Sequence, residues 1–270
     1  MNKNIQLVLT TGLLFGVSTS IQANTDSNFP EIISEFTTKY NKHNKNRAAN
    51  IQIAAGKIDG KILYPGEIFS FNKHLGKRTT AKGYKKAPIF SRGIRKMGTG
   101  GGICQVSGTL WNAAIRADLK SIQRRNHSML VNYLPKGLDA AVSYGSVDLK
   151  FQNTLERPIK IAVVNIPGKL TFKILGHKTP GKEVKVKHHT IKLWGRGTRY
   201  VVDKNLRPGT KKVKQKGSKG GRAIATREVY MNGQLVKKDT WRSYYKGGIR
   251  TIVHNPLPKL KKRAMSSLIL

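Results

Sequence analysis

Three consecutive glycines, Gly100, Gly101 and Gly102, run straight into the most regular apolar stripe of the chain, and that junction constrains everything around it. Within residues 105–119, Val106, Leu110, Ala113, Ala114 and Ala117 recur at intervals of three and four, with Trp111 and Ile115 widening the stripe. This is the period of an amphipathic helix with one face in a core. The glycines at its N-terminal end read as a flexible turn running into the first helical turn. The only cysteine, Cys104, stands at this junction, followed by Gln105, Val106 and Ser107. Backbone N–H groups at a helix start favour a thiolate and can bond a developing oxyanion, so the position suits a nucleophilic thiol. A buried packing cysteine is the alternative use of the same residue.

The N-terminal segment carries Lys3, then an apolar run over residues 5–17, then small and polar residues as far as Ala23. That is the layout of a secretory signal, with cleavage after Ala23, or after Ser20 because Ile21 fits its position poorly. The run is shorter than the roughly 20 residues a membrane-crossing helix needs, and no comparable run follows, so the expectation is an exported chain without a transmembrane segment. A lone cysteine forms no internal disulfide, and in an oxidising compartment it is either shielded or kept for reactivity. The charge is extreme: 51 Lys and Arg against 13 Asp and Glu, a net +38. A field of that size attracts polyanions and says nothing of fold. Nucleic acid is not expected as a partner, since no nucleic-acid motif occurs and the basic residues are not interleaved with aromatics.

Beyond the leader (1–23), residues 24–49 read as an N-terminal helical and linker segment, with Ile32, Ile33, Phe36 and Tyr40 spaced for one helix face. Residues 50–58 continue helically until Gly60. Residues 62–71 read as two extended pieces about Pro65-Gly66, and residues 76–100 as a basic, glycine-rich loop. After the central helix, residues 129–133, 140–144, 147–151, 159–164 and 170–175 carry strand signals. A connecting β segment over 177–205 precedes a small β-module over 206–255, whose Asn232-Gly233 is a two-residue hairpin turn. Residues 256–270 form a basic tail.

Acyl transfer through a thiol needs a base and oxyanion donors besides the sulfur. His127 is the candidate base, at the start of the first strand after the helix; the other histidines lie in loop-like or basic surroundings. Asp139 and Asp148, each in a glycine-marked turn of a chain poor in acids, are the candidates to orient it, and either could equally cap its turn. Gln105 could lend an amide to the oxyanion site, and Ser107 could cap the helix. The glycine run lacks the Gly-Lys-Ser/Thr ending of a phosphate loop. One cysteine with scattered histidines gives no ligand pair for zinc, and the adjacent His188 and His189 would point to opposite sides of a strand, so neither metal nor cofactor is expected.

Several motifs in fixed order then resemble the VanW domain: residues 64–72 (YPGEIFSFN), 100–107 (GGGICQVS), 109–110, 112–114 (NAA), 126–128 (NHS), 137–140 (GLDA) and 144–148 (YGSVD). The likeness covers about 50–164, within a domain placed at 50–176. Residues 206–255 are similar to the glycine-marked β-module that often follows this domain in exported bacterial wall proteins. The resemblance implies an envelope protein linked to peptidoglycan, in which Cys104 serves an L,D-transpeptidase-like acyl transfer. Its matching positions make Cys104, His127, Asp139 and Asp148 the candidate catalytic residues, and Gly101, Gly102, Gln105, Ser107, Ser128 and Tyr144 candidates for the oxyanion or substrate. Arg125 stands where many members have a second histidine, Trp111 where tyrosine is common, and Gly108 where Ser or Thr is usual.

The expected architecture is an α+β domain, a long helix packed on a mostly antiparallel sheet, followed by a small all-β module. The expected partner is peptidoglycan or another anionic envelope polymer. The rival expectation is a non-catalytic, strongly basic protein that holds such polymers, with Cys104 buried.

Overall fold

The computed structural model describes residues 27–91 and 94–257. The expected leader lies outside them, as does all but the first part of the expected tail. β1 (Glu31–Lys39) leads to α1 (Lys45–Ile58), then β2 (Ile62–Leu63), β3 (Ile68–Ser70), α2 (Phe71–Leu75) and a single 3-10 turn. β4 (Lys86–Ser91) and β5 (Ile94–Thr99) precede α3 (Ile103–Arg116), and β6 (Lys120–Gln123), β7 (Lys150–Gln152), β8 (Ile159–Ile166) and β9 (Lys169–Gly176) follow it. The remaining strands are β10 (Lys182–Trp194), β11 (Thr198–Val202), β12 (Lys211–Gln215), β13 (Gly220–Met231), β14 (Gln234–Tyr245) and β15 (Arg250–His254).

Strands dominate, and this corrects the expected α+β class. Among the described residues they fall into five small sheets, ordered β1-β9-β8-β2, β3-β7-β6, β4-β5, β10-β13-β14 and β11-β15-β12. α3 does not lie on the face of one sheet. It is enclosed, with twelve buried residues and contacts to β1, β9, α1, β6 and β10. A helix buried all round suits its sequence: small alanines let neighbours close in, while Val106, Leu110, Trp111 and Ile115 fill the core with Ile51, Ile58, Phe151 and Phe172.

Residues 31–39, expected to be helical, are a strand. Ile32, Ile33, Thr37 and Thr38 are β-branched, and β1 pairs antiparallel with β9 through a register shift between Ile32 and Ser34. The buried hydroxyls of Ser34 and Thr38 then meet α3, on the Ala113 carbonyl at 2.7 Å and on Thr109 Oγ1 at 2.8 Å. The basic loop expected over 76–100 contains the β4–β5 hairpin. The strand signal at 129–133 yields no strand, and that at 140–144 only the bridge Ser143↔Val147. In the second module the Asn232-Gly233 turn joins β13 to β14, both residues at positive φ (49° and 81°).

The glycine triplet has a geometric reason. Gly102 caps α3 at φ 112°, a conformation that side chains disfavour. At Gly101 the issue is space: a Cβ would lie 2.7 Å from the Pro88 carbonyl oxygen and 2.8 Å from the Ala87 carbonyl carbon, both backbone atoms of β4. Asn50 locks this approach, donating to the Gly101 and Lys85 carbonyls and accepting the Lys85 N–H. Gly101→Ala is therefore expected to cost about 1–3 kcal/mol, as overpacking against an unyielding wall does. Thermal unfolding of the variant checks this; an unchanged Tm removes the close approach as the reason for glycine.

Candidate functional site

The start of α3, the loop after β6 and the loop over residues 134–142 converge beside the β4–β5 hairpin. The helix start delivers Cys104, which is partly exposed. The loop after β6 delivers His127, 8% exposed, and the third segment delivers Asp139, fully buried. Asp139 Oδ2 accepts both the His127 backbone N–H and the His127 ring at Nδ1, each at 2.7 Å. An imidazole held at Nδ1 by a carboxylate has its orientation and its protonated nitrogen fixed. The same ring faces the Cys104 side chain closely enough for each to shift the other's titration. When protonated, the thiol donates to the Val142 carbonyl at 3.5 Å.

The charges reinforce one another. Burial pushes the Cys104 thiol up, yet the His127 hydrogen bond and charge, with the nearby Arg78 charge, outweigh it and leave the thiol below its ordinary value. Burial pulls His127 down, but the bonds to Asp139 and Cys104 prevail and the imidazole is pushed up to about 10. Burial likewise works against the Asp139 carboxylate, which His127 and Arg124 hold below the usual range. The two shifts run in the directions that favour a thiolate beside an imidazolium over the neutral pair.

At the helix start the Ile103 N–H closes on the Gly100 carbonyl and the Gln105 N–H on that of Gly102. Among the described residues, the Cys104 N–H bonds no backbone carbonyl outside its helix, so it is the donor left for an oxyanion in this turn. The site opens into a cleft of about 1250 Å³ whose lining includes Cys104, His127, Tyr133, Arg47 and Arg78. Lys214 and Lys216 of the second module line it too, and no Asp or Glu is among the lining residues described.

The other sequence candidates sit differently. Asp148 does not meet His127: it accepts from Ser70 Oγ at 2.6 Å and from the backbone N–H groups of Asn72 and Leu149, securing the entry to α2. The Gln105 amide is already engaged, Nε2 donating to Thr38 Oγ1 and the Lys39 carbonyl while Oε1 accepts from Arg47. The Ser107 hydroxyl donates to the Ala140 and Cys104 carbonyls and caps nothing, since the cap is Gly102. Gly101 serves the approach to β4, and Gly102 lines the cleft. Ser128 is exposed outside the cleft, its carbonyl accepting from Gly247. Tyr144 stands at the cleft, 53% exposed, with Arg78 over its ring.

Three neighbours were not legible as site residues. Arg124 donates to the Asp139 and Gly137 carbonyls and to Asp139 Oδ1. Tyr133 packs edge-on against His127, with Arg47 over its face. Tyr245, 106 residues away in sequence, donates to Asp139 Oδ1 at 2.5 Å. Only Arg124 offers a signal, as a cation three residues before the histidine. At the usual VanW positions noted above, Arg125 is exposed, and Trp111 is buried with its indole N–H on Ser121 Oγ. Gly108 leaves room for Leu134, which a Cβ would strike.

Among the described residues no group of three or more His, Cys, Asp or Glu could hold a metal ion, and no helix is long and apolar enough to cross a membrane.

A family model described as VanW like protein matches residues 46–175, and one described as G5 domain matches residues 182–253, taking in most of the segment expected to be a connection. YoaR of Bacillus subtilis (strain 168) is 46% identical over 138 residues, 51% of this chain and 46% of that protein. The vancomycin B-type resistance protein VanW of Enterococcus faecalis (strain ATCC 700802 / V583) is 30% identical over 159 residues, 55% of this chain and 56% of its own. The chain thus spans about half the length of the curated relatives it matches. Among solved structures, the IgA1 protease G5 domain matches 30% of this chain and 98% of its own at 20% identity, TM-score 0.23. The G5 domain of HP0197 matches 27% of this chain and 99% of its own at 17% identity, TM-score 0.17. Motif order, family match and relatives agree over the segment that carries Cys104, His127 and Asp139, and the chain carries a VanW-like domain followed by a G5 domain.

Proposed function

We propose that this is an exported cell-envelope protein that transfers acyl groups of peptidoglycan stem peptides through Cys104. The observation that carries the reading is the imidazole of His127, bonded to a buried carboxylate at Nδ1 and lining the same open cleft as Cys104. The Cys104 thiolate attacks a peptide carbonyl, forming the S–C bond, and the oxyanion is met by the Cys104 N–H. As the C–N bond breaks, protonated His127 gives its proton to the leaving amine. An acceptor amine then attacks the thioester carbonyl and loses a proton to His127; the S–C bond breaks and the thiolate returns. The cleft's basic lining suits stem peptides, which carry free carboxylates.

Incubation with tetrapeptide muropeptides followed by intact-mass measurement tests this. The expected result is a covalent acyl adduct on the native chain at Cys104, with the leaving amine released. An unmodified mass together with unchanged muropeptides overturns it, and the remaining reading is a non-catalytic basic protein holding anionic envelope polymers.

A further inference from the structure

We propose that the G5 domain completes the site, with Tyr245 as a positioning residue that fixes the Asp139 carboxylate and, through it, His127 and Cys104. This rests on Cys104 being the nucleophile. Tyr245 ends β14 and is 1% exposed. Its hydroxyl donates to Asp139 Oδ1 and accepts the Gly137 N–H at 2.7 Å, so one oxygen pins both the carboxylate and the backbone two residues before it. Ser243, two residues earlier and on the same face of the strand, accepts from Arg124 at 2.9 Å, and Arg124 holds Oδ1 and the carbonyls of Gly137 and Asp139. Oδ1 is therefore anchored by Tyr245 and Arg124, which leaves Oδ2 aimed at the two His127 donors.

A docking interface needs none of this. Elsewhere the two domains are joined by the Lys237–Asp118 and Lys182–Asp118 ion pairs and by Arg227 on the Leu119 carbonyl, away from the imidazole, while the Gly247 N–H on the Ser128 carbonyl and Asn126 on the Tyr244 carbonyl hold the backbone on either side of His127. Burial and the Asp139 charge push the Tyr245 phenol up, so it remains a donor across the working range. The charged and titratable groups facing the triad are Arg124 and Tyr245 at Asp139, Tyr133 at His127, with Arg47 over its ring, and Arg78 at Cys104.

The test is the pH profile of Cys104 alkylation by iodoacetamide in the full chain. Tyr245→Phe keeps the ring and removes only the hydroxyl. The midpoint is expected to rise by about one pH unit as the imidazolium loses its oriented carboxylate, with alkylation at neutral pH falling about three- to tenfold. Lys237→Ala, which loosens the interface away from the site, is expected to leave the midpoint unmoved. If Tyr245→Phe does not fold, Ser243→Ala slackens Arg124 instead and is expected to move the midpoint in the same direction by less. An unshifted midpoint in the folded variant, or an equal shift in Lys237→Ala, overturns the proposal. Failure of the underlying reading looks different: the native thiol itself then titrates at or above the ordinary cysteine value.

Discussion

Cys104→Ala is expected to abolish both thiol labelling and acyl transfer while leaving the fold intact. The loss exceeds the 10²- to 10³-fold, about 2.7–4 kcal/mol, that removal of one oxyanion donor costs, because the covalent intermediate forms on that sulfur itself. The native protein gives a sharper signature in pH. With the thiol held below its ordinary value by His127 and Arg78, alkylation persists at pH values where a free cysteine is protonated and inert. Raising the pH keeps the thiolate, so alkylation stays on a plateau. Acyl transfer behaves differently, because the leaving amine needs the imidazolium proton, and that proton is lost as pH rises through about 10. Alkylation that plateaus while transfer falls on the alkaline side is the expected pair of profiles. Alkylation only of denatured protein would mean a shielded sulfur with no catalytic part.

How much of this was written in the sequence depends on the range of each interaction. The helix at 103–116 was legible because its 3.6-residue period and its glycine entry are local properties. The Asn232-Gly233 hairpin was legible for the same reason: positive φ at two successive residues is a demand that Asn-Gly meets by itself. β1 was misread because Ile32, Ile33 and Phe36 match a helix face about as well as a strand, and the arbiter is β9, some 130 residues later. The fold class failed on an architectural point. Periodicity says that α3 is apolar, but not that strands of three separate sheets, with α1, supply the walls around it.

Within the site, residue types were more legible than roles. Cys104 stood out by scarcity and His127 by its setting after the helix, whereas Asp139 and Asp148 were indistinguishable, both being acids in glycine-marked turns. The structure separates them by what they face: Asp148 holds backbone and a serine hydroxyl at α2, and Asp139 faces His127, Arg124 and Tyr245. Gln105 illustrates the opposite error. An amide beside a nucleophile invites an oxyanion role, but its donors are spent on β1 and its acceptor on Arg47, so it ties the helix start to its neighbours. Tyr245 carried no sequence signal at all, because its importance lies in which domain it comes from.

Asp139→Asn is expected to be nearly as damaging as loss of the thiol, although it removes no more than a charge and an oxygen. Four donors converge on the native carboxylate: the His127 N–H and Nδ1 on one oxygen, Tyr245 and Arg124 on the other. An asparagine has one oxygen to accept with, so its NH₂ must face either His127 or the Tyr245–Arg124 pair. Tyr245 can turn to accept; the guanidinium of Arg124 and the His127 backbone N–H have no such freedom. If the NH₂ faces His127, the ring must accept at Nδ1 and present a proton toward Cys104, the wrong tautomer for taking one. If it faces Arg124, donor meets donor there, and in either orientation the buried guanidinium loses the carboxylate charge, a loss on the order of 3–5 kcal/mol. Either way acyl transfer should fall on the order of 10³- to 10⁴-fold, and the alkylation midpoint of Cys104 should move up to or beyond that of an ordinary thiol. Single-turnover acylation and the alkylation profile of the folded variant measure both. Activity within a few-fold of native would show that His127 works without Asp139, and would leave the convergence of four donors on that carboxylate as a device for joining the two domains alone.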